Sequence, residues 1–339
     1  MTISGRPSVS VVVVNYRAGA WLSRCLVALA GQTHRDFEAW VVDNGSDDGS
    51  LENAMAAVAG DPRFRFDPAD SNLGFAAANN RAARLARADW LALLNPDAIP
   101  DADWLENLLQ AAARYDGVAM FGSTQVDAID PGRLDGCGDN YLFAGVPWRG
   151  GYGWPVESLP PCDRGVFAPC AAAALYRRDA FAAVDGFDES FFCYVEDVDL
   201  AFRLRLRGER CIQVVRARVR HVGGVSTGPL GDFARFHGMR NMVWCFVKNM
   251  PSPLFWLLAP IHGMVLGLLW IKAVARGDGR VVGRALGAAF VGLPWSSRRK
   301  VQAMRRASWR AIAGALTWSP ALYLRRAPAW TSDEGAVRP

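Results

Sequence analysis

Apolar and polar positions alternate between two periods along the first two-thirds of the chain. Residues 8–15 end in VSVVVVN, an unbroken β-branched run closed by a polar residue. Such a run predicts a strand buried on both faces of a parallel sheet. Residues 18–30 then place Trp21, Leu22, Cys25, Leu26 and Leu29 at helical spacing. The same change of period recurs. Strands are expected at 38–43, near 64–66, at 90–94 and at 117–122, with helices at about 51–58, 74–87 and 101–115. Strand and helix in alternation predict an α/β doubly wound sheet.

The rhythm stops at 123–165, rich in Gly and Pro and carrying Trp148, Tyr152 and Trp154. A long loop or insertion with a functional role is expected there. The aromatic stretch 141–154 offers faces for stacking sugar rings, or else core aromatics under a loop. An apolar small-residue run at 166–176 restores order. An amphipathic helix at 196–208 and a last strand at 211–215 follow. From about residue 230 the chain turns basic and strongly apolar, and 254–271 holds no formal charge over 18 residues. At about 1.5 Å per residue that is about 27 Å, the lower limit for crossing a bilayer.

Charge sharpens this division. Residues 1–210 carry 19 Arg against 29 acidic residues, and residues 211–339 carry 19 basic against 4 acidic. The overall +5 hides an acidic part suited to metal and sugar chemistry and a basic part suited to phosphate or anionic lipid. Nucleic acid is not the expected partner, because the basic residues interleave with apolar runs of membrane length. Seven scattered cysteines without a Cys-x-x-Cys, and only four histidines, disfavour a disulfide framework or a zinc site. Met1–Pro7 lacks a charged leader, so no signal peptide is expected.

Four constellations carry candidate chemistry. Asp43 stands at a strand's carboxyl end in VVDNGSDD, where open α/β sheets bind ligands, and its carboxylate suits the imide N–H of uracil or thymine. The same residues also make an ordinary polar turn. Asn95-Pro96-Asp97 ends a second apolar strand and offers a hard oxygen ligand for a divalent ion, or simply a proline corner. Glu196, Asp197 and Asp199 open a helix between aromatic and apolar neighbours. Acidic residues there suit the helix dipole, and such surroundings also raise a carboxyl toward the pKa of a general base, with Asp197 the candidate. Arg203, Arg205 and Arg207 follow on that helix as candidate phosphate contacts or solvated charges. His221 precedes two glycines that let a ligand approach the backbone.

Taken in order, Val9–Tyr16, Gln32–Ser50, Asn72–Ala82, Leu93–Pro100, Val184–Phe192 and Glu196–Gly208 resemble glycosyltransferase family 2, the inverting GT-A enzymes, and within it the bacterial rhamnosyltransferase-like branch. The resemblance spans about residues 8–225. It implies a GT-A mixed sheet over 1–230, followed by a helical, membrane-associating region over 231–339. It implies that Asn15, Tyr16, Asp43, Asn44 and Ser46 edge the nucleotide, with Gly74, Phe75, Ala76 and Asn79 packed over it. Asn95-Pro96-Asp97 occupies the place of the family's Asp-x-Asp motif, with Asn at the first position. Asp97 and His221 would then hold Mg²⁺ or Mn²⁺. Asp197 would be the base beside Glu196. Asp188 and Asp199 would lie on the substrate side, and residues 170–174 near the donor sugar. The implied donor is a dTDP- or UDP-sugar, with dTDP-rhamnose foremost, and the acceptor a lipid-linked glycan of the cell envelope. The implied location is the cytoplasmic face of the inner membrane. The Asn at position 95 leaves one alternative, an inactive nucleotide-sugar or glycan-binding module.

Overall fold

The computed structural model describes residues 5–223 and 231–331. The first half alternates as the periodicity predicts. Strands β1 (Val9–Asn15), β2 (Phe37–Asp43), β3 (Phe64–Pro68) and β4 (Trp90–Leu94) are separated by helices α1 (Ala20–Ala30), α2 (Ser50–Ala57) and α3 (Phe75–Leu85). A short β5 (Ala98–Pro100), helix α4 (Trp104–Arg114) and strand β6 (Met120–Asp127) complete this half. All seven residues of β1 are buried, as a strand flanked by helices on both faces requires.

The stretch 123–165 is not a structureless loop. It contributes β7 (Leu134–Gly136), a hairpin of β8 (Asp139–Tyr141) and β9 (Pro147–Arg149), and β10 (Arg164–Gly165). Strand β11 (Ala173–Arg177), helix α5 (Arg178–Ala182), helix α6 (Glu196–Leu206) and strand β12 (Cys211–His221) follow. The last strand is longer than its first apolar run suggests, because a register shift between Val214 and Arg218 carries it on to His221. The sheet is mixed, in the order β10-β12-β6-β11-β4-β1-β2-β3, with β5 paired to β12 and β7 to β6. β1 runs parallel to β2 and β4, whereas β11 runs antiparallel to β4 and β6.

The basic, apolar third forms α7 (Asp232–Asn249), α8 (Leu254–Ala275), α9 (Gly279–Val291), α10 (Trp295–Ala303), α11 (Trp309–Ala315) and α12 (Pro320–Leu324). Composition sets this third apart, yet Met242, Phe246, Leu254, Leu258 and Leu266 share one apolar core with Leu93, Phe167 and Phe202. Because α7 packs over α6, α6 is buried on every side rather than amphipathic. Its Arg203 and Arg205 do not point to a phosphate. Arg203 pairs with Asp199 at 2.8 Å and donates to the carbonyls of Val184 and Gly186, and Arg205 donates to the carbonyls of Phe167 and Val166.

Helix α8 is long and apolar enough to cross a membrane by length and composition. One side of it packs on the β8–β9 turn and on α7, where His262 Nδ1 meets the Ala144 carbonyl at 2.8 Å and its ring stacks on Phe246. The other side leaves Trp256, Leu257, Met264, Leu268 and Ile271 more than half exposed.

Candidate active site

The carboxyl ends of β1 and β2 meet in register, Asn15 opposite Asp43. Asn15 Nδ2 donates to Asp43 Oδ1 at 2.7 Å, and the Ser46 amide donates to Asp43 Oδ2 at 3.0 Å. Buried Asn15 and Asp43 therefore form one polar cluster with half-buried Ser46. Tyr16 follows directly, with the Arg17 guanidinium 5.5 Å from its ring centre. Asn44 clamps the next loop, donating to Asn72 and accepting from the Leu73 amide. That loop leads to Gly74 at φ +85°, where a Cβ would stand 2.8 Å from the Phe192 carbonyl oxygen. Close packing thus requires the glycine. The Ala76 amide donates to the same carbonyl, Phe75 packs edge-on against Phe187, and Asn79 donates back to the Phe75 carbonyl. In this structure Phe75 and Asn79 brace the helix start.

Antiparallel pairing of β5 with β12 sets His221 opposite Ala98, next to Asp97. His221 Nε2 lies 3.4 Å from Asp97 Oδ1, and His221 Nδ1 lies 2.7 Å from Asp135 Oδ2 on β7. Burial opposes a charge on this ring, but the hydrogen bond to Asp135 and the nearby carboxylate of Asp97 outweigh it and raise the His221 pKa to about 9. Nε2 is buried without a hydrogen-bond partner. An imidazole locked by a carboxylate on one nitrogen, with the other nitrogen aimed at an aspartate, has the form of a metal-ligating histidine and its orienting partner. The carboxylate oxygen of Asp97 suits a hard ion such as Mg²⁺ or Mn²⁺. Asn95 sits at the same corner, its amide bonded to the Ala172 carbonyl.

The second group lies at the start of α6. Carboxylate oxygens of Asp139 and Asp197 and the sulfur of Cys170 lie within 4.8 Å of one another. Asp197 accepts from the amides of Ala171 and Val198, at 3.2 and 2.8 Å. Burial and the charge of Asp197 push Asp139 up to about 8, and burial likewise raises Asp197. Two carboxylates this close in a desolvated site do not both ionise readily, so the pair holds a proton near neutrality. Burial pushes the Cys170 thiol up to about 12, which keeps it protonated and a poor ligand for a hard ion. Glu196 is buried with one carboxyl oxygen unpartnered, and burial raises its pKa well above the ordinary value.

Arg149 joins the two groups, bonding to Asp135 on one side and to Cys170 Sγ at 3.5 Å on the other. Asp135, Asp139 and Arg149 are absent from the sequence-based set. All three come from 123–165, and the run LDGCGD, two aspartates around paired glycines, was the available signal.

The turn before α6 is strained. Phe192, Tyr194 and Val195 all have φ between +65° and +68°. Non-glycine residues in that region each cost about 1–3 kcal/mol and persist where the surroundings hold them. The support comes from α7. Asn241 Nδ2 lies 2.8–2.9 Å from the carbonyls of Phe191, Cys193 and Tyr194. Asp188 and Asp199 stand apart from the open carboxylates. Both lie 2.7 Å from Lys248 Nζ of α7, and Asp199 also pairs with Arg203, so in this structure they serve an internal ion network.

Residues 10–184 match the glycosyl transferase family 2 model. The N-acetylglucosaminyl-diphospho-decaprenol L-rhamnosyltransferase of Mycobacterium tuberculosis is 31% identical over 289 residues, 78% of this chain and 91% of that protein. Chondroitin synthase of Escherichia coli is 26% identical over 203 residues, 60% of this chain and 27% of that protein. Among solved structures, the mannosyltransferase PcManGT of Pyrobaculum calidifontis, in complex with GDP-Man and Mn²⁺, has a TM-score of 0.54 at 19% identity. It covers 91% of this chain and 87% of its own. GalNAc-T7 with UDP, GalNAc and Mn²⁺ has a TM-score of 0.57 at 14% identity, covering 71% and 48%. These two carry the fold alone, and it is GT-A. The inactive-module alternative raised by Asn95 gives way on the family match and the rhamnosyltransferase relative. The chain belongs to glycosyl transferase family 2 and is a glycosyltransferase enzyme.

Proposed function

We propose that this enzyme transfers L-rhamnose, with inversion, from dTDP-rhamnose onto a diphosphate-linked saccharide carried by a membrane lipid. The observation that carries the reading is the pairing of Asp139 on β8 with Asp197 at the start of α6, linked through Arg149 and Asp135 to His221 and Asp97. The named activity of the mycobacterial relative, matched over nearly its whole length, supports the sugar and the acceptor.

The cluster of Asn15, Asp43 and Ser46 supplies the nucleotide pocket. Asp97 and His221 would hold a divalent ion, oriented by Asp135. Such an ion neutralises charge on the leaving diphosphate. Asp197, anchored by two backbone amides, takes the proton of the acceptor hydroxyl, and its raised pKa suits a base working near neutrality. Arg149 stabilises negative charge between the two groups, and only interactions that strengthen in the transition state speed the step.

The C-terminal region rests on the cytoplasmic face of the membrane. The exposed side of α8 is apolar, whereas its opposite side is fixed midway along its length to the catalytic domain through His262. A helix held that way supports lying in the interface rather than spanning. All seven cysteines are unpaired, which fits a reducing compartment.

The test is transfer by the purified protein, with Mg²⁺ or Mn²⁺, from a panel of nucleotide sugars to an N-acetylglucosaminyl diphospho-polyprenol. Anomeric configuration of the product is read by NMR. Transfer of rhamnose with inverted configuration is expected. Transfer from a different sugar donor only, or retention of configuration, overturns the reading.

A further inference from the structure

A cavity of about 380 Å³ opens between the β8–β9 hairpin, the C-terminal end of α8 and helix α12. Its lining includes Trp148, Arg149, Lys272, Tyr323, Leu324 and Arg326. Three cations and no carboxylate face it, so it selects for an anion. Among the described residues, neither Lys272 nor Arg326 has a carboxylate partner. Arg326 is held over the Tyr152 ring at 4.8 Å, and its backbone carbonyl accepts from the Gly151 amide at 2.7 Å. Trp148 and Tyr323 meet edge to face at 5.8 Å. Trp148 is fixed from behind, because its indole N–H donates to the Ala327 carbonyl.

The cavity's place in the fold gives it direction. Arg149 is its inner wall and also the residue that joins Asp135 to Cys170, beside Asp197. On the outer side stand Leu324, 77% exposed, and the apolar exposed side of α8 with Leu268 and Ile271. Thus one wall is Arg149, which bonds Asp135 and Cys170 of the candidate site, the middle is cationic and aromatic, and the outer end is apolar. A sugar joined to a lipid through a diphosphate has the same order of chemistries.

We propose that this cavity is the acceptor subsite. The acceptor's diphosphate sits between Lys272 and Arg326, its saccharide passes Trp148 and Arg149 to reach Asp197, and its lipid leaves over Leu324 and α8. The proposal rests on the functional reading above. A diphosphate could also come from the donor nucleotide. The apolar outer end favours the lipid-linked source, since a nucleotide has nothing to place there. Guanidinium and ammonium contacts to phosphate are charge-assisted and stronger than neutral hydrogen bonds.

The experiment is steady-state kinetics on the full chain with Lys272→Gln, Arg326→Gln and the double variant. Donor and acceptor concentrations are varied separately, using a short-chain N-acetylglucosaminyl diphospho-polyprenol. Each single variant should raise acceptor KM about tenfold, the loss of one charge-assisted contact, with kcat and donor KM within about threefold of the parent. The wild-type enzyme supplies a second, fold-independent reading. An alkyl N-acetylglucosaminide lacking the diphosphate should show a raised KM on the parent, and the double variant should no longer distinguish the two acceptors. An unchanged acceptor KM, or a rise confined to donor KM, overturns the subsite while leaving the functional reading intact. Absence of any transfer by the wild-type enzyme to the diphosphate acceptor overturns both.

Discussion

Replacing Lys248 by Met probes how firmly the C-terminal helices belong to the catalytic domain. The ammonium group is 1% exposed and lies 2.7 Å from carboxylate oxygens of both Asp188 and Asp199. It also sits 4.8 Å from the centre of the Phe191 ring. Met preserves most of the apolar stem and removes the charge. Asp199 keeps Arg203 and Asn249 as partners, whereas Asp188 keeps only the Ser190 bonds. Burial alone would raise the Asp188 pKa, but Lys248 and Ser190 outweigh it and hold it at about 2 against an ordinary 3.8. That depression corresponds to about 2 kcal/mol, of which the Ser190 bonds retain a part. Taking the ammonium away from the fully buried Asp199 as well as the half-buried Asp188 brings the expected loss to about 3–5 kcal/mol. Urea unfolding of parent and variant near neutral pH measures it. The sign of the pH dependence follows from the depressed pKa. The stabilisation is present above about pH 3.8 and disappears as pH falls toward about 2. The gap between the two proteins should therefore stay level from about pH 8 to about pH 5 and narrow below about pH 4. A loss under about 1 kcal/mol, or a gap that widens on acidification, refutes the reasoning.

Asp197→Asn should lower transfer by about 10²–10⁴-fold while donor affinity stays within a few-fold, and wild-type turnover would remove Asp197 from the base role. Asp135→Asn, which touches the proposed ion only through His221, should weaken Mn²⁺ affinity by about 10–100-fold in a titration without substrate. Asn241→Ala uncovers three buried carbonyls of the strained turn and should cost about 1–3 kcal/mol of stability, with kcat falling more than donor KM rises. Equal scaling of both kinetic constants would argue for a structural role only. The triple change Trp256→Ser, Leu257→Ser and Leu268→Ser should release the protein from anionic vesicles in a flotation assay. Parent protein that fails to float with vesicles at low salt would sink the interfacial placement.

Sequence alone determined the parts whose chemistry is local. The β-branched run of β1, the aspartate ending β2 and the Asn-Pro-Asp corner after β4 each declare a strand and its carboxyl end within a few residues. Glu196-Asp197 likewise announces itself beside the aromatic residues before it. What no local pattern encodes is which charges become buried together. Asp135, Asp139 and Arg149 join the site through pairings such as β7 with β6, and through the Asp139 amide bonded to the Ala168 carbonyl. Lys248 reads as one more cation in a basic tail, yet it closes an ion network with Asp188, sixty residues earlier. Arg203 and Arg205 read as phosphate contacts or solvated charges on an amphipathic helix, until the fold buries both and carbonyls of the neighbouring loops take their donors. A charge is cheap in water and costly in a core unless partners are in place. Those partners are brought together by the folded chain, so the tertiary structure decided which aspartates bind one another and which remain open to the reaction.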